Sequence, residues 1–302
     1  MDIGIVFTAL FVAFNCGILG VFLMLRKMAM VGDAISHSVL PGIVIAYLIA
    51  GTRASFPMLI GAAAMGLITT VLIEFLTKKA RLQNDASIGI SFTWLFAIGV
   101  ILIAVFTKGG IDLDQECVLY GDIAYVNLDK IIVDGNLYLG PRAMWNQIPV
   151  FVLISVVILF GFRGWQITTF NPDYAASMGI SVSRWHYLLM SMVSLVTVMA
   201  FEAVGAILVV GFMIIPPATA YLINSKLKMV IVLTLVFATL SVLLGYRLAI
   251  YFNGSIAGGM ISVAGIIFFV IWCLQQMVKK LLVARSDENV GGWLVQENKI
   301  IR

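Results

Sequence analysis

Asp33 and His37 are the first residues whose types and spacing suggest chemistry. They lie four positions apart in Gly32-Asp33-Ala34-Ile35-Ser36-His37-Ser38-Val39-Leu40-Pro41-Gly42, so a helix presents both on one face. A carboxylate beside an imidazole is half of a site for a borderline divalent cation. The same pair also reads as an Asp–His hydrogen bond that merely fixes helix packing. Glu202, in Ala200-Phe201-Glu202-Ala203-Val204-Gly205, is the only carboxylate between Asp173 and Asp287. A lone acid in such a run faces a bundle interior or an aqueous path; the alternative is a wetted loop between two hairpin helices. Joined to Asp33 and His37, it would complete an oxygen-rich set with one histidine, which suits manganese or iron(II) slightly better than zinc.

The elements that must position these residues follow from composition. Of the 302 residues, 62% are hydrophobic and only 11% charged, against about 25% charged in a soluble globular chain. The mean hydropathy is +1.07. A soluble body of this size could not cover its surface with so few charges, and disordered chains are charge-rich and apolar-poor. The class left is a polytopic membrane protein. The net charge of +4 then belongs to basic cytoplasmic loops rather than to a nucleic-acid footprint. Cys16, Cys117 and Cys273 are too far apart in sequence to read as a disulfide framework or a thiolate metal site. The apolar run from Ile3 has no basic segment before it and reads as a retained helix, not a signal peptide.

Apolar runs of about 20 residues fall at roughly 4–25, 28–50, 56–76, 88–106, 148–162, 186–223, 229–245 and 255–274. The run 186–223 is too long for one crossing and is read as two. That gives nine spans, or eight if one is re-entrant. Arg26-Lys27, Lys78-Lys79-Arg81, Arg163 with Arg184, Lys226 with Lys228, and Lys279-Lys280 all fall on one side of a nine-span chain. The positive-inside rule then puts the N-terminus outside and the C-terminus inside. A polar, acidic stretch at about 107–147 lies outside. Residues 1–285 form the transmembrane domain and 286–302 a cytoplasmic tail. Since lipid tolerates no open sheet edge, the expected fold is an all-α bundle of eight or nine transmembrane helices.

Three prolines, Pro41, Pro216 and Pro217, are candidate helix breaks or gating points, because proline removes a backbone donor. Broken helices often mark a transport pathway; a plain kink satisfied by neighbours is the other reading. Asn171-Pro172-Asp173-Tyr174-Ala175-Ala176-Ser177-Met178-Gly179 predicts a short helix in a cytoplasmic segment spanning about 170–184. Asn171 caps it, Pro172 fits its first position, Asp173 suits its positive end, and Gly179 stops it. Such a helix docks into a groove on a partner or lies on the bilayer surface. The sequence holds no Gly-rich phosphate loop ending in Gly-Lys-Ser/Thr, and no HExxH or GxSxG run. No span carries an arginine ladder.

Several of these segments resemble one family, the membrane permease subunit of ABC importers for manganese, zinc or iron. Leu25 to Gly42 looks like that family's first signature and Val204 to Ala220 like its second. Asn171 to Ile180 is similar to the segment such permeases insert into their ATPase. The resemblance covers most of residues 1–280. It implies a dimeric permease of identical or related chains, two cytoplasmic ATPase subunits, and an extracytoplasmic metal-binding protein. The setting it implies is the inner membrane of a prokaryote. It makes Asp33 and His37 metal ligands, and Glu202 a further one just before the second signature. The coupling residues would be Asn171, Pro172, Asp173, Tyr174, Ala175 and Gly179. The chain binds no cofactor of its own on this reading; the metal ion is its cargo. The outer stretch 107–147 is longer than in compact members of the family. The rival readings are a secondary metal or proton transporter, or a channel, that needs no ATPase, and an ABC permease for a larger cargo such as an iron chelate or a vitamin.

Overall fold

The computed structural model describes residues 2–51, 55–106, 123–133 and 137–300. Part of the polar stretch at 107–147 therefore lies outside the described residues. The helices are α1 (Ile3–Leu25), α2 (Val31–Ser38), α3 (Leu40–Ala50), α4 (Ser55–Lys78), α5 (Asn84–Phe106), α6 (Arg142–Phe170), α7 (Pro172–Ser177), α8 (Val182–Val204), α9 (Ala206–Ile223), α10 (Leu227–Tyr251) and α11 (Ile256–Ile300). Among the described residues nine segments are long and apolar enough to cross a membrane, with α2 and α3 together forming the second. The one sheet described is a hairpin, β1 (Lys130–Val133) against β2 (Leu137–Pro141), antiparallel with Ile132 opposite Tyr138. It lies between two spans, so the rule against open sheet edges in lipid does not reach it.

The helix α1 is the axis of the bundle. In its most apolar window 78% of residues are buried, against 22% in α5, α6 and the spanning part of α11. It packs on α6, α8, α9 and α10, while α2 to α5 form a second group joined to it through α8. At the bundle's perimeter, Phe160 is 90% and Ile49 82% exposed, as expected of side chains that face acyl chains rather than water.

Two element boundaries differ from the sequence reading. The fifth span begins at Arg142 and ends at Phe170, well beyond the apolar stretch 148–162. Its polar residues are retained in the helix because they have partners: Gln147 is fully buried and bonded across the bundle. The chain 286–300, read as a tail, continues the helix α11.

The second span and the run 186–223 are both interrupted, in different ways. Between α2 and α3 only Val39 falls outside either helix, and it keeps a right-handed helical backbone, donating to the Ile35 carbonyl and accepting from the Ile43 N–H. Pro41 explains the interruption, because it has no N–H to give to the carbonyl of His37 four residues earlier. The long run is divided at Gly205, whose φ of 82° lies where a side chain is disfavoured. Pro216 and Pro217 do not divide it: α9 is assigned as one helix through both.

Candidate metal centre

The short helix α2 carries Asp33 in its first turn and His37 in its last. Asp33 Oδ1 stands 3.6 Å from His37 Nε2. That is longer than a close hydrogen bond, so the two heads form a loose ion-pair contact on one face of the helix. Their side chains remain 30% and 42% exposed respectively, which leaves lone pairs open to a cation. The imidazole is flanked by two rings of α5, Phe92 and Phe96, each with its centroid 6.0 Å away. This aromatic wall was not legible in the sequence, where both phenylalanines merge into an apolar span.

The neighbours of α2 hold it tightly. Ser38 and Thr69 share a hydrogen bond of 2.6 Å between α2 and α4. Gly42 on α3 and Gly61 on α4 lie so close that a Cβ on either would collide with the other's carbonyl oxygen. On the opposite side, Gly99 of α5 lies against Leu40 and Pro41. The interruption at Val39 is therefore clamped between α4 and α5, and the Asp33–His37 pair lies just before it.

Glu202 is not beside this pair within one chain. Ile35 and Ser194 meet over Gly66. Glu202 is eight residues farther along α8, or about 12 Å along a helix axis. Its side chain is exposed, on the last turn of α8 before Gly205. Among the described residues no group of three His, Cys, Asp or Glu side chains gathers closely enough to hold a metal ion. Asp33 and His37 are the pair that a single chain brings together.

The basic loops collect at one end of the bundle. A cavity of about 630 Å³ is bordered there by Arg26, Lys27, Lys78 and His186, by the acid Glu74, and by Pro172 of α7. It reaches Val31, two residues before Asp33. Glu74 and Lys78 form an ion pair at its edge. A second hollow joins Phe162, Gln166 and Phe170 to the segment 225–229, and Lys228 Nζ lies 5.5 Å from the Phe162 ring centre. Arg26 is half-buried, and burial lowers its pKa from the usual guanidinium value; an arginine keeps its charge regardless.

The helix α7 is built as its sequence directs. The Asn171 side chain accepts from the Tyr174 N–H at 3.1 Å, and Pro172 holds the first helical position. At the other end Gly179, at φ 76°, donates to the Ala176 carbonyl while Ile180 donates to that of Ala175. This is a Schellman stop, where glycine meets no penalty for the left-handed turn. Ala175 is buried and anchors the helix, while Tyr174 and Met178 are exposed.

Comparison with known proteins places this architecture. The model of the ABC 3 transport family matches residues 3–275. The manganese transport system membrane protein MntD of Bacillus subtilis (strain 168) is 43% identical over 264 residues, 87% of this chain and 88% of that protein. The zinc transport system membrane protein TroD of Treponema pallidum (strain Nichols) is 35% identical over 289 residues, 95% of this chain and 78% of that protein. Among solved structures, PsaBC from Streptococcus pneumoniae in complex with Fab aligns with a TM-score of 0.70 at 33% identity, covering 89% of this chain and 90% of that one. The chain belongs to the ABC 3 transport family.

Proposed function

We propose that this chain is the permease subunit of an importer for a divalent transition-metal ion, with manganese the first candidate and zinc or iron(II) next. The observation that carries the reading is the open Asp33–His37 pair, 3.6 Å apart on one face of α2. Relatives named for manganese and zinc transport support it. One carboxylate and one imidazole match the ligand preferences of these ions and separate them poorly. With no phosphate loop in the sequence, ATP hydrolysis falls to a cytoplasmic ABC ATPase partner. Tyr174 of α7 and Met178 just after it, both exposed, form the surface that docks into it, with Asn171, Pro172, Asp173 and Gly179 shaping the ends of the helix and the buried Ala175 anchoring it.

In this reading the basic end of the bundle is cytoplasmic, with the N-terminus outside and the C-terminus inside. An extracytoplasmic metal-binding protein delivers the ion into a cavity between two permease chains, identical or related. Glu202 lies toward the outer end of α8. A bare carboxylate facing lipid is costly, so it faces that aqueous route or the second chain, and acts on the ion before Asp33 and His37 do. Pro41, at the interruption beside the ligand pair, and Pro216 and Pro217 of α9 are the points at which the helices flex during alternating access.

The test is reconstitution in proteoliposomes with the candidate ATPase and binding protein, measuring uptake of labelled manganese, zinc and iron(II). Uptake that needs ATP and all three components is the expected result and names the ion. Uptake by this chain alone, indifferent to ATP, would replace the importer with a secondary transporter.

A further inference from the structure

Arg26, the first residue after α1, is bonded to the last turn of α6, just before the start of α7. Its Nη2 donates to Thr168 Oγ1 at 3.2 Å and its Nε to Thr169 Oγ1 at 3.3 Å. Both threonines lie in the last turn of α6, and Asn171, the cap of α7, follows directly. The guanidinium also lies over the ring of Trp165, 6.0 Å from its centre, and Trp165 is fully buried against Phe22 and Trp185. Among the described residues these two bonds are the only side-chain hydrogen bonds leaving the linker 26–30, and no carboxylate forms an ion pair with Arg26.

The linker itself is short and closed. Lys27 donates to the Met24 carbonyl and Met28 to that of Leu23, the Schellman pattern, with Lys27 at φ 57° where glycine is usual. The α2 helix starts at Val31 and Asp33 follows two residues later. A displacement of Arg26 therefore reaches the ligand helix through a few constrained residues. On the other side of the linker, the cavity bordered by Arg26, Glu74 and Lys78 leaves room for the α6 end to move relative to α4.

We infer that Arg26, forked onto Thr168 and Thr169, is the positioning residue that carries motion of the coupling helix α7 to the Asp33–His37 helix. The inference rests on the functional reading above, since it needs an ATPase to move α7. Arginine serves better than lysine, because the fork spans two acceptors and its plane lies on an indole, which a point charge reproduces only in part.

The experiment compares wild type, Arg26→Gln, Arg26→Lys and the paired Thr168→Val/Thr169→Val variant, each reconstituted with ATPase and binding protein. It measures ATP hydrolysis and labelled-ion uptake in the same vesicles. The expected result is near-normal hydrolysis with uptake per ATP reduced at least about fivefold in Arg26→Gln and in the threonine pair, the lower end of site-to-site couplings. Arg26→Lys falls between these and wild type. A merely structural Arg26 would lower hydrolysis and uptake together through loss of assembled complex, and that result overturns the inference, as does an unchanged ratio. Should Arg26→Gln fail to assemble, the valine pair, nearly the same shape as threonine, decides alone. Wild-type uptake that ignored ATP would overturn the functional reading itself and is distinct from either result.

Discussion

Asn15 on α1 donates from Nδ2 to Gln147 Oε1 on α6 at 3.1 Å, and Gln147 Nε2 donates in turn to the Met199 carbonyl on α8 at 2.9 Å. Both amides are fully buried, so three helices of the core are tied by one polar chain where no water replaces a lost bond. Gln147→Leu keeps a similar volume but removes both side-chain bonds, leaving Asn15 Nδ2 only its longer 3.5 Å contact with the Gln147 carbonyl. Leaving buried polar groups unsatisfied costs about 1–3 kcal/mol. The variant in detergent should unfold at a clearly lower temperature than wild type. An unchanged melting curve would mean that the chain of amides contributes nothing to the bundle.

Asp33→Asn and His37→Gln each keep shape while removing a ligand charge or an imidazole. Substitutions one shell farther from a metal already cost about tenfold or more in affinity, so each single change should reduce uptake by at least that factor. The contacts that hold α2 to α4 and α8, Ser38 to Thr69 and Ile35 and Ser194 over Gly66, do not involve either head group, and only the imidazole touches other side chains, the rings of Phe92 and Phe96. Melting temperature and yield should therefore stay close to wild type. Uptake that survives the double change would exclude this pair as the ion site.

The crossing of α3 and α4 is set by Gly42 and Gly61, where no Cβ fits. Gly42→Leu must push the helices apart, and overpacking of this kind costs about 1–3 kcal/mol or more. Because α3 follows α2 after a single residue, the shift also displaces α2 and the Asp33–His37 pair. Gly89 of α5 provides the contrast, with nothing within 4 Å of the position a Cβ would take. Gly89→Ala should be neutral or slightly stabilising, since glycine in a helix interior costs roughly 0.5–1 kcal/mol relative to alanine. Equal melting temperatures for the two variants would show that the close approach is not a constraint.

Much of this architecture was legible in the residues. Long apolar runs specify membrane helices because lipid leaves the backbone no other way to satisfy its hydrogen bonds. The ends of α7 were legible because Asn171, Pro172 and Gly179 each have a local conformational reason for their places. The Asp33–His37 pair was legible because helical spacing is short-range geometry. What stayed hidden depends on tertiary contact. Apolarity began the fifth span too late, since Gln147 is tolerated only through partners on α1 and α8. The separation of Glu202 from Asp33 depends on how α8 passes α4, which no local pattern encodes. Proline alone also proved ambiguous: Pro41 coincides with an interruption, whereas α9 continues through Pro216 and Pro217.

Pro41 offers the sharpest separation of stability from transport. It lies at the second position of α3, against Gly99 of α5, and cannot donate to the His37 carbonyl. Pro41→Ala restores that donor and lets α2 and α3 run on as one helix, so the His37 carbonyl becomes part of an ordinary helical ladder. The loss of ring contacts with α5 opposes the gained bond, and the net change in stability should stay within about 1 kcal/mol, the size of one hydrogen bond. Transport is affected differently. If the interruption lets the ligand helix turn independently of α3 during access, a continuous helix ties the two together and uptake should fall several-fold while ATP hydrolysis by the partner continues. Parallel melting and uptake measurements on Pro41→Ala distinguish the cases. A variant that transports normally with an unchanged melting temperature would reduce the interruption to a packing feature.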